Sequence, residues 1–216
     1  MIREFGTIDL LYLIAAIRWT LLLTLAGFAG GSMIGIVIAV MRISASQTLQ
    51  ALAICYIQLI QGLPLLVLLF VFFFGLSIVG LPVSAWIAAV AAFSLYAGAF
   101  LGEIWRGALQ SIPRTQWEAG GSLGLGFGEQ LRYVIVPQAF RVAIPPTVGF
   151  IVQLIKNTSL AATVGFVELT REGQLTTAST YQPFTVYIIV AFLYFLMCFP
   201  LTQYSRVLER RLYVAG

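Results

Sequence analysis

Between Arg42 and Glu103 the chain carries no Asp, Glu, Lys or Arg. Soluble domains are about one-quarter charged, so a run of this length does not belong on a solvated surface. A transmembrane helix needs about 20 apolar residues, so the run is too long for one span and suits two. The break falls at Ser77-Ile78-Val79-Gly80-Leu81-Pro82, where Gly and Pro signal a turn. Span two is therefore placed at Gln50–Leu76 and span three at Val83–Gly107.

The same reading divides the rest. Arg18 and Arg42 enclose an apolar run, Trp19–Met41, which is span one. Leu10–Ile17 is too short to cross alone and is expected to lie along the interface before it. Span four is Val142–Val167, interrupted by Lys156, and span five is Phe184–Tyr204. A polar stretch, Ala108–Arg141, forms an extramembrane loop, and a second loop holds Glu168, Arg171 and Glu172. The apolar runs are continuous rather than alternating, so helices are expected and a barrel is not.

Composition agrees. The chain is 60% hydrophobic and 9% charged, with mean hydropathy +0.98. That excludes disorder, a nucleic-acid-binding module and nearly every soluble enzyme. There is no His, so the commonest metal ligand and general base are missing. No metal site is expected. Cys55 and Cys198 lie in apolar runs and read as small hydrophobes. Small residues at Ala26–Ser32 are followed by more apolar chain, so no cleavable signal peptide is expected.

Five spans put the two ends on opposite sides. One side collects Arg42, Arg106, Arg114, Arg132, Arg141, Arg206, Arg210 and Arg211, and the other Arg3, Arg18 and Arg171. The arginine-rich side is cytoplasmic by the positive-inside rule. The C-terminus and the long loop are then inside and the N-terminus outside.

The long loop reads Glu118-Ala119-Gly120-Gly121-Ser122-Leu123-Gly124, then nine residues, then Val134-Ile135-Val136-Pro137. This resembles the EAA motif of binding-protein-dependent ABC importer permeases: EAA, three residues, Gly, nine residues, I-x-L-P. Gly120 stands for the second Ala, Val134 for Ile and Val136 for Leu. Physically it is a short helix-turn-helix: Gly124 and Gly126 permit a tight turn, and Pro137 is expected to end the second helix. The resemblance extends along most of the chain. Gln61-Gly62-Leu63-Pro64-Leu65-Leu66, Gly102-Glu103-Ile104-Trp105-Arg106-Gly107, Pro137-Gln138-Ala139-Phe140-Arg141, Lys156-Asn157-Thr158-Ser159-Leu160 and Glu168-Leu169-Thr170 all match. They are similar to the polar amino acid (His/Glu/Gln/Arg/opine) subfamily, with Gln61 where Arg is usual.

The resemblance implies one all-α integral membrane domain over residues 1–216, with the MetI-like permease fold. It implies a multi-pass protein of the bacterial inner membrane. Its partners would be a second permease subunit, identical or related, two cytoplasmic ABC ATPases and an extracytoplasmic amino-acid-binding protein. ATP and Mg would be bound by the ATPase partner. No cofactor and no nucleic acid are expected on this chain, which has no P-loop. Glu118, Ala119, Gly120, Ser122, Leu123, Gly124 and Pro137 would form the ATPase-coupling element.

Importers place a polar site near the bilayer midplane, and polar residues within spans mark it. Three places qualify. Lys156, Asn157, Thr158 and Ser159 interrupt span four, and Asn157 and Thr158 can hydrogen-bond an amino acid; helix–helix adhesion is the alternative. In the family this segment lines the pathway. Glu103 could meet a ligand ammonium, or pair with Arg106 one turn away. Gln61, Gly62, Leu63 and Pro64 read as a broken helix in which the proline frees the carbonyl of residue 60, or as a simple kink. Tyr96 could form a wall opposite. Gly27, Gly30, Gly31 and Gly35 suggest close helix packing. The rival functions are a permease for another polar solute such as an osmolyte, an ion-coupled secondary transporter, and a membrane-embedded enzyme.

Overall fold

The computed structural model describes residues 4–213, with side chains through residue 210. Arg3 and the Arg211 side chain, counted in the charge balance, lie outside the described residues. The described residues form helices and no strand. In chain order they are α1 (Thr7–Ile43), α2 (Gln47–Gly62), α3 (Leu65–Ile78), α4 (Ala85–Gln110), α5 (Arg114–Ser122), α6 (Phe127–Val164), α7 (Leu169–Thr180) and α8 (Pro183–Tyr213). α1, α4, α6 and α8 are long and apolar enough to cross a membrane. α2 and α3 meet at a 97° bend and together make a fifth candidate span.

The close packing expected of the α1 glycines is realised against α4. Gly27 lies on Phe93, Gly30 on Ser94, Gly31 on Ala97 and Gly35 on Leu101. Gly98 and Gly102 of α4 return the fit against Ile34 and Ile38. Small residues on both faces let the two backbones approach, which is how helices adhere where lipid supplies no hydrophobic drive. Around this pair Leu23, Leu69, Phe93, Leu101 and Leu154 make the main core.

Several boundaries differ from expectation, each for a physical reason. Leu10–Ile17 is no separate interfacial segment, because α1 runs unbroken through Arg18. The α2–α3 span breaks at Leu63-Pro64, since Pro64 cannot donate into the α2 ladder. The Ile60 carbonyl is not left free: the Leu63 N–H reaches it at 3.4 Å. Pro137 does not end a helix. It sits at the start of an α-helical stretch, Val136–Asn157, that continues α6 beyond a π-helical turn at Gln130–Ile135. That wide turn takes up a proline that has no N–H to offer. The second loop is also helical, as α7, capped by the Glu168 side chain on the Arg171 N–H. Span five extends beyond Phe184–Tyr204 as α8.

The largest revision concerns Lys156-Asn157-Thr158-Ser159. These residues do not lie within a continuous α-helix: the α-helical part of α6 ends at Asn157 and tightens to a 3-10 turn over Thr158–Val164. After the 3-10 turn the chain continues into α7 in the same sense as α6, which also runs antiparallel to α8, with Pro145 beside Ser205 and Ile155 in one cluster with Tyr194 and Cys198. α7 is antiparallel to α8: Thr170 meets Tyr194, and Gly173 packs on Val186 and Val190. Tyr194 lies eleven residues into α8, about 17 Å from its start at 1.5 Å per residue. The Thr158 hydroxyl lies beside the Tyr194 hydroxyl, so the α-helical part of α6 ends level with Tyr194 and α7 carries the chain on towards the start of α8.

Candidate translocation site and coupling loop

The polar face of α6 comes from helical spacing. Gln153 and Asn157 are four residues apart and share a face, with Lys156 beside them. Gln153 and Lys156 are exposed and Asn157 half-buried. Within a bilayer such groups need water, a partner chain or a ligand, because lipid offers no hydrogen bond. Tyr96 of α4 faces this strip. Its hydroxyl accepts from Gln153 Nε2 at 3.3 Å and lies within hydrogen-bonding reach of Asn157. Its ring is held against Phe100 and Phe150, at centroid distances of 4.5 and 6.3 Å.

The α2–α3 break lies one turn along α4. Gln61 Nε2 donates to the Ala99 carbonyl at 3.4 Å, and Gln61, Gly62, Leu63 and Pro64 are all exposed. Nothing lies within 4 Å of where a Gly62 side chain would project. Leu65, just past the break, shares a core cluster with Leu154 and Ala161 of α6. Two interrupted helices thus meet on the same stretch of α4, the arrangement that lines ion and solute sites in transporters.

The structure separates two of the expected residues from this strip. Thr158 is fully buried, and its hydroxyl donates to the Ile155 carbonyl at 2.7 Å. Glu103 lies two turns further along α4 and is held by two guanidinium groups. Arg42 Nε sits 3.2 Å from Oε1, and Arg106 Nη2 sits 2.7 Å from Oε2. Arg106 also bonds Gln110. The carboxylate therefore clasps the ends of α1 and α4. Glu103→Gln leaves two cations facing one neutral amide. At this partial exposure a loss of about 1–2 kcal/mol is expected. A lower unfolding midpoint in detergent, with substrate affinity unchanged, is the expected reading; weaker binding at an unchanged midpoint would place Glu103 on the ligand instead.

Gln153 escaped the sequence reading, although its helical offset of four from Asn157 marks it. A cavity of about 610 Å³ opens elsewhere, among Phe28, Ile36, Trp105, Phe140 and Thr147. Its walls are almost wholly apolar, and the Thr147 hydroxyl is already paired with Trp105 Nε1 at 3.1 Å. Such walls offer little to a charged solute.

The EAA-type loop is braced from within. α5 ends on Gly124, whose φ of +78° suits glycine. Gly120 packs on Gln130, whose Nε2 holds the Leu125 carbonyl at 2.7 Å. Trp117 stacks on Phe127 at 5.7 Å, and Glu129 caps the Gly126 N–H at 2.9 Å. With these contacts on the inner side, Glu118, Ala119, Ser122 and Leu123 are left on the surface, Leu123 at 81% exposure.

The comparisons match this architecture. Residues 31–214 match the family described as the inner membrane component of binding-protein-dependent transport systems. The L-cystine transport system permease protein TcyB of Bacillus subtilis is 40% identical over 202 residues, which cover 92% of this chain and 86% of that protein. The glutamine transport system permease protein GlnP of Escherichia coli K12 is 35% identical, covering 93% of this chain and 92% of that protein. A crystal structure of an amino acid ABC transporter with histidines superposes with a TM-score of 0.88 at 31% identity, over 97% of this chain and 100% of that one. An all-helical multi-pass chain with an EAA-type loop, matched nearly end to end by such permeases, belongs to the family of binding-protein-dependent inner membrane transport components, as a transport subunit rather than a catalytic one.

Proposed function

We propose that this chain is the permease subunit of an ATP-driven importer of polar amino acids in the bacterial inner membrane. The observation that carries the reading is the Gln153, Asn157 and Tyr96 strip, where the α-helical part of α6 ends beside the α2–α3 break. An amino acid brings an ammonium and a carboxylate. The exposed Lys156 suits the carboxylate, and the carbonyl-rich end of α6 suits the ammonium. The relatives named for cystine and glutamine carry solutes that share this backbone and differ in side chain.

In this reading a second permease copy or relative covers the exposed polar strip. Two ATPases dock on the Glu118–Leu123 face, and an external binding protein delivers the solute. ATP and Mg stay with the ATPases. Closure of the ATPase pair pushes the coupling helices and switches access from inside to outside. The N-terminus lies outside. Arg42 and Arg106 share one end of the bundle, and Ser205 of α8 reaches the Pro145 carbonyl of α6 near Arg141. That clustering supports a cytoplasmic face there.

The test is uptake by proteoliposomes holding this chain, its permease partner, the ATPase and the binding protein. Radiolabelled polar amino acids are compared with glycine betaine as an osmolyte probe. Uptake of an amino acid that requires ATP and survives collapse of ion gradients is expected. Gln153→Ala should lower it about tenfold, the worth of one hydrogen bond to a charged group. Uptake of betaine alone, or uptake driven by an ion gradient without ATP, would refute the proposal.

A further inference from the structure

Glu168 is fully buried, yet no ion pair to it occurs among the described residues. Helix capping explains only half of its hydrogen bonding. Oε1 accepts the Arg171 N–H at 2.9 Å, which satisfies the start of α7. A shorter Ser or Asp would do that at less desolvation cost. The second oxygen reaches across to α8, where the Tyr194 hydroxyl donates to Oε2 at 2.7 Å. The same hydroxyl lies 3.0 Å from Thr170 Oγ1 and beside the Thr158 hydroxyl. Next in the chain, the Leu169 N–H donates to Thr20 Oγ1 of α1 at 3.2 Å, and Thr20 is fully buried. Four segments therefore meet here: α1, the 3-10 turn that ends α6, the start of α7, and α8.

What this junction holds matters more than what it is. Thr158 follows Asn157 directly, at the residue where α6 changes pitch. Its backbone sets the angle at which Asn157 leaves the helix, and Gln153 lies one turn back on the same face. We infer that Tyr194, anchored by Glu168, is a positioning residue for the substrate strip: it touches no substrate but fixes the Thr158 turn, and so the reach of Asn157 and Gln153. The inference rests on the amino-acid-import reading above.

The experiment uses the assembled importer in lipid nanodiscs and, as probe, the radiolabelled amino acid taken up best by the wild type. Tyr194→Phe keeps the ring and removes the hydroxyl. Probe affinity is expected to fall about three- to tenfold, the effect of one misplaced hydrogen bond, while the ATPase still co-purifies. The Gln153→Ala effect on affinity should shrink in the Tyr194→Phe background, since a strip already out of register has less to lose. Affinity within twofold of wild type, or additive effects of the two substitutions, overturns the inference, even if the unfolding midpoint drops. Should Tyr194→Phe fail to assemble, Glu168→Gln carries the same test, because the amide keeps the shape but leaves one accepting oxygen for the Arg171 N–H and the tyrosine hydroxyl. Absence of uptake by the wild type would sink the functional reading; intact wild-type uptake with unaltered variants would sink this inference alone.

Discussion

Leu123→Asp is expected to release the ATPase from the complex while the permease stays folded. The side chain stands 81% exposed at the end of α5, on the face shared with Glu118 and Ala119. Its backbone N–H closes onto the Ala119 and Gly120 carbonyls, and Gly124 makes the turn, so the loop does not depend on the leucine side chain. An exposed apolar residue on a rigid tip is the kind of anchor that dominates an interface. Truncating such an anchor costs about 2 kcal/mol or more, roughly thirtyfold in affinity, and a buried aspartate adds desolvation. Co-purification from membranes and ATP-dependent uptake should both be lost. Glu118→Arg should behave alike through charge reversal on the same face. Retention of the ATPase at wild-type stoichiometry by both variants would refute the coupling assignment.

Gly31→Leu should abolish folding. A Cβ on Gly31 would overlap Ala97 Cβ and crowd the Gly98 backbone. No flexible side-chain tip is there to yield, so α1 and α4 must separate along the whole Gly27–Gly35 seam. Overpacking of a tight contact costs about 1–3 kcal/mol, and a leucine against backbone falls at the upper end or beyond. The expected readout is loss of the monodisperse peak in detergent. Gly62→Ala is the control, because the space around Gly62 is open and its φ is not in the left-handed region. It should purify normally. A Gly31→Leu chain with the wild-type unfolding midpoint would show that α1 does not need its close approach to α4.

Much of the architecture was legible as spacing. The run from Arg42 to Glu103 holds the bent α2–α3 pair and most of α4, and Gly80-Leu81-Pro82 separates them. The glycines of α1 announced close packing, though not that the partner would be α4. Pro64 announced the break, because a missing N–H is a local property. Pro137 misled for the same reason. A proline signals a missing donor, and whether the helix stops or widens depends on the π-helical turn ahead of it and on what the helix packs against. Helical offset could also have found Gln153.

Other features had no one-dimensional trace. That the α-helical part of α6 ends level with Tyr194, where α7 begins its run along α8, rests on a contact between residues more than twenty positions apart. Glu168 looked like a loop charge because burial is a property of the assembled bundle. Glu103 had two readings until Arg42, sixty-one positions away, closed on it. Hydropathy and turn chemistry were enough to specify helices, crossings and the EAA-type loop, because lipid makes each helix satisfy its own backbone. Which polar side chains stay exposed and which pair with one another was left to packing, since long-range contacts leave no periodic signal in the chain.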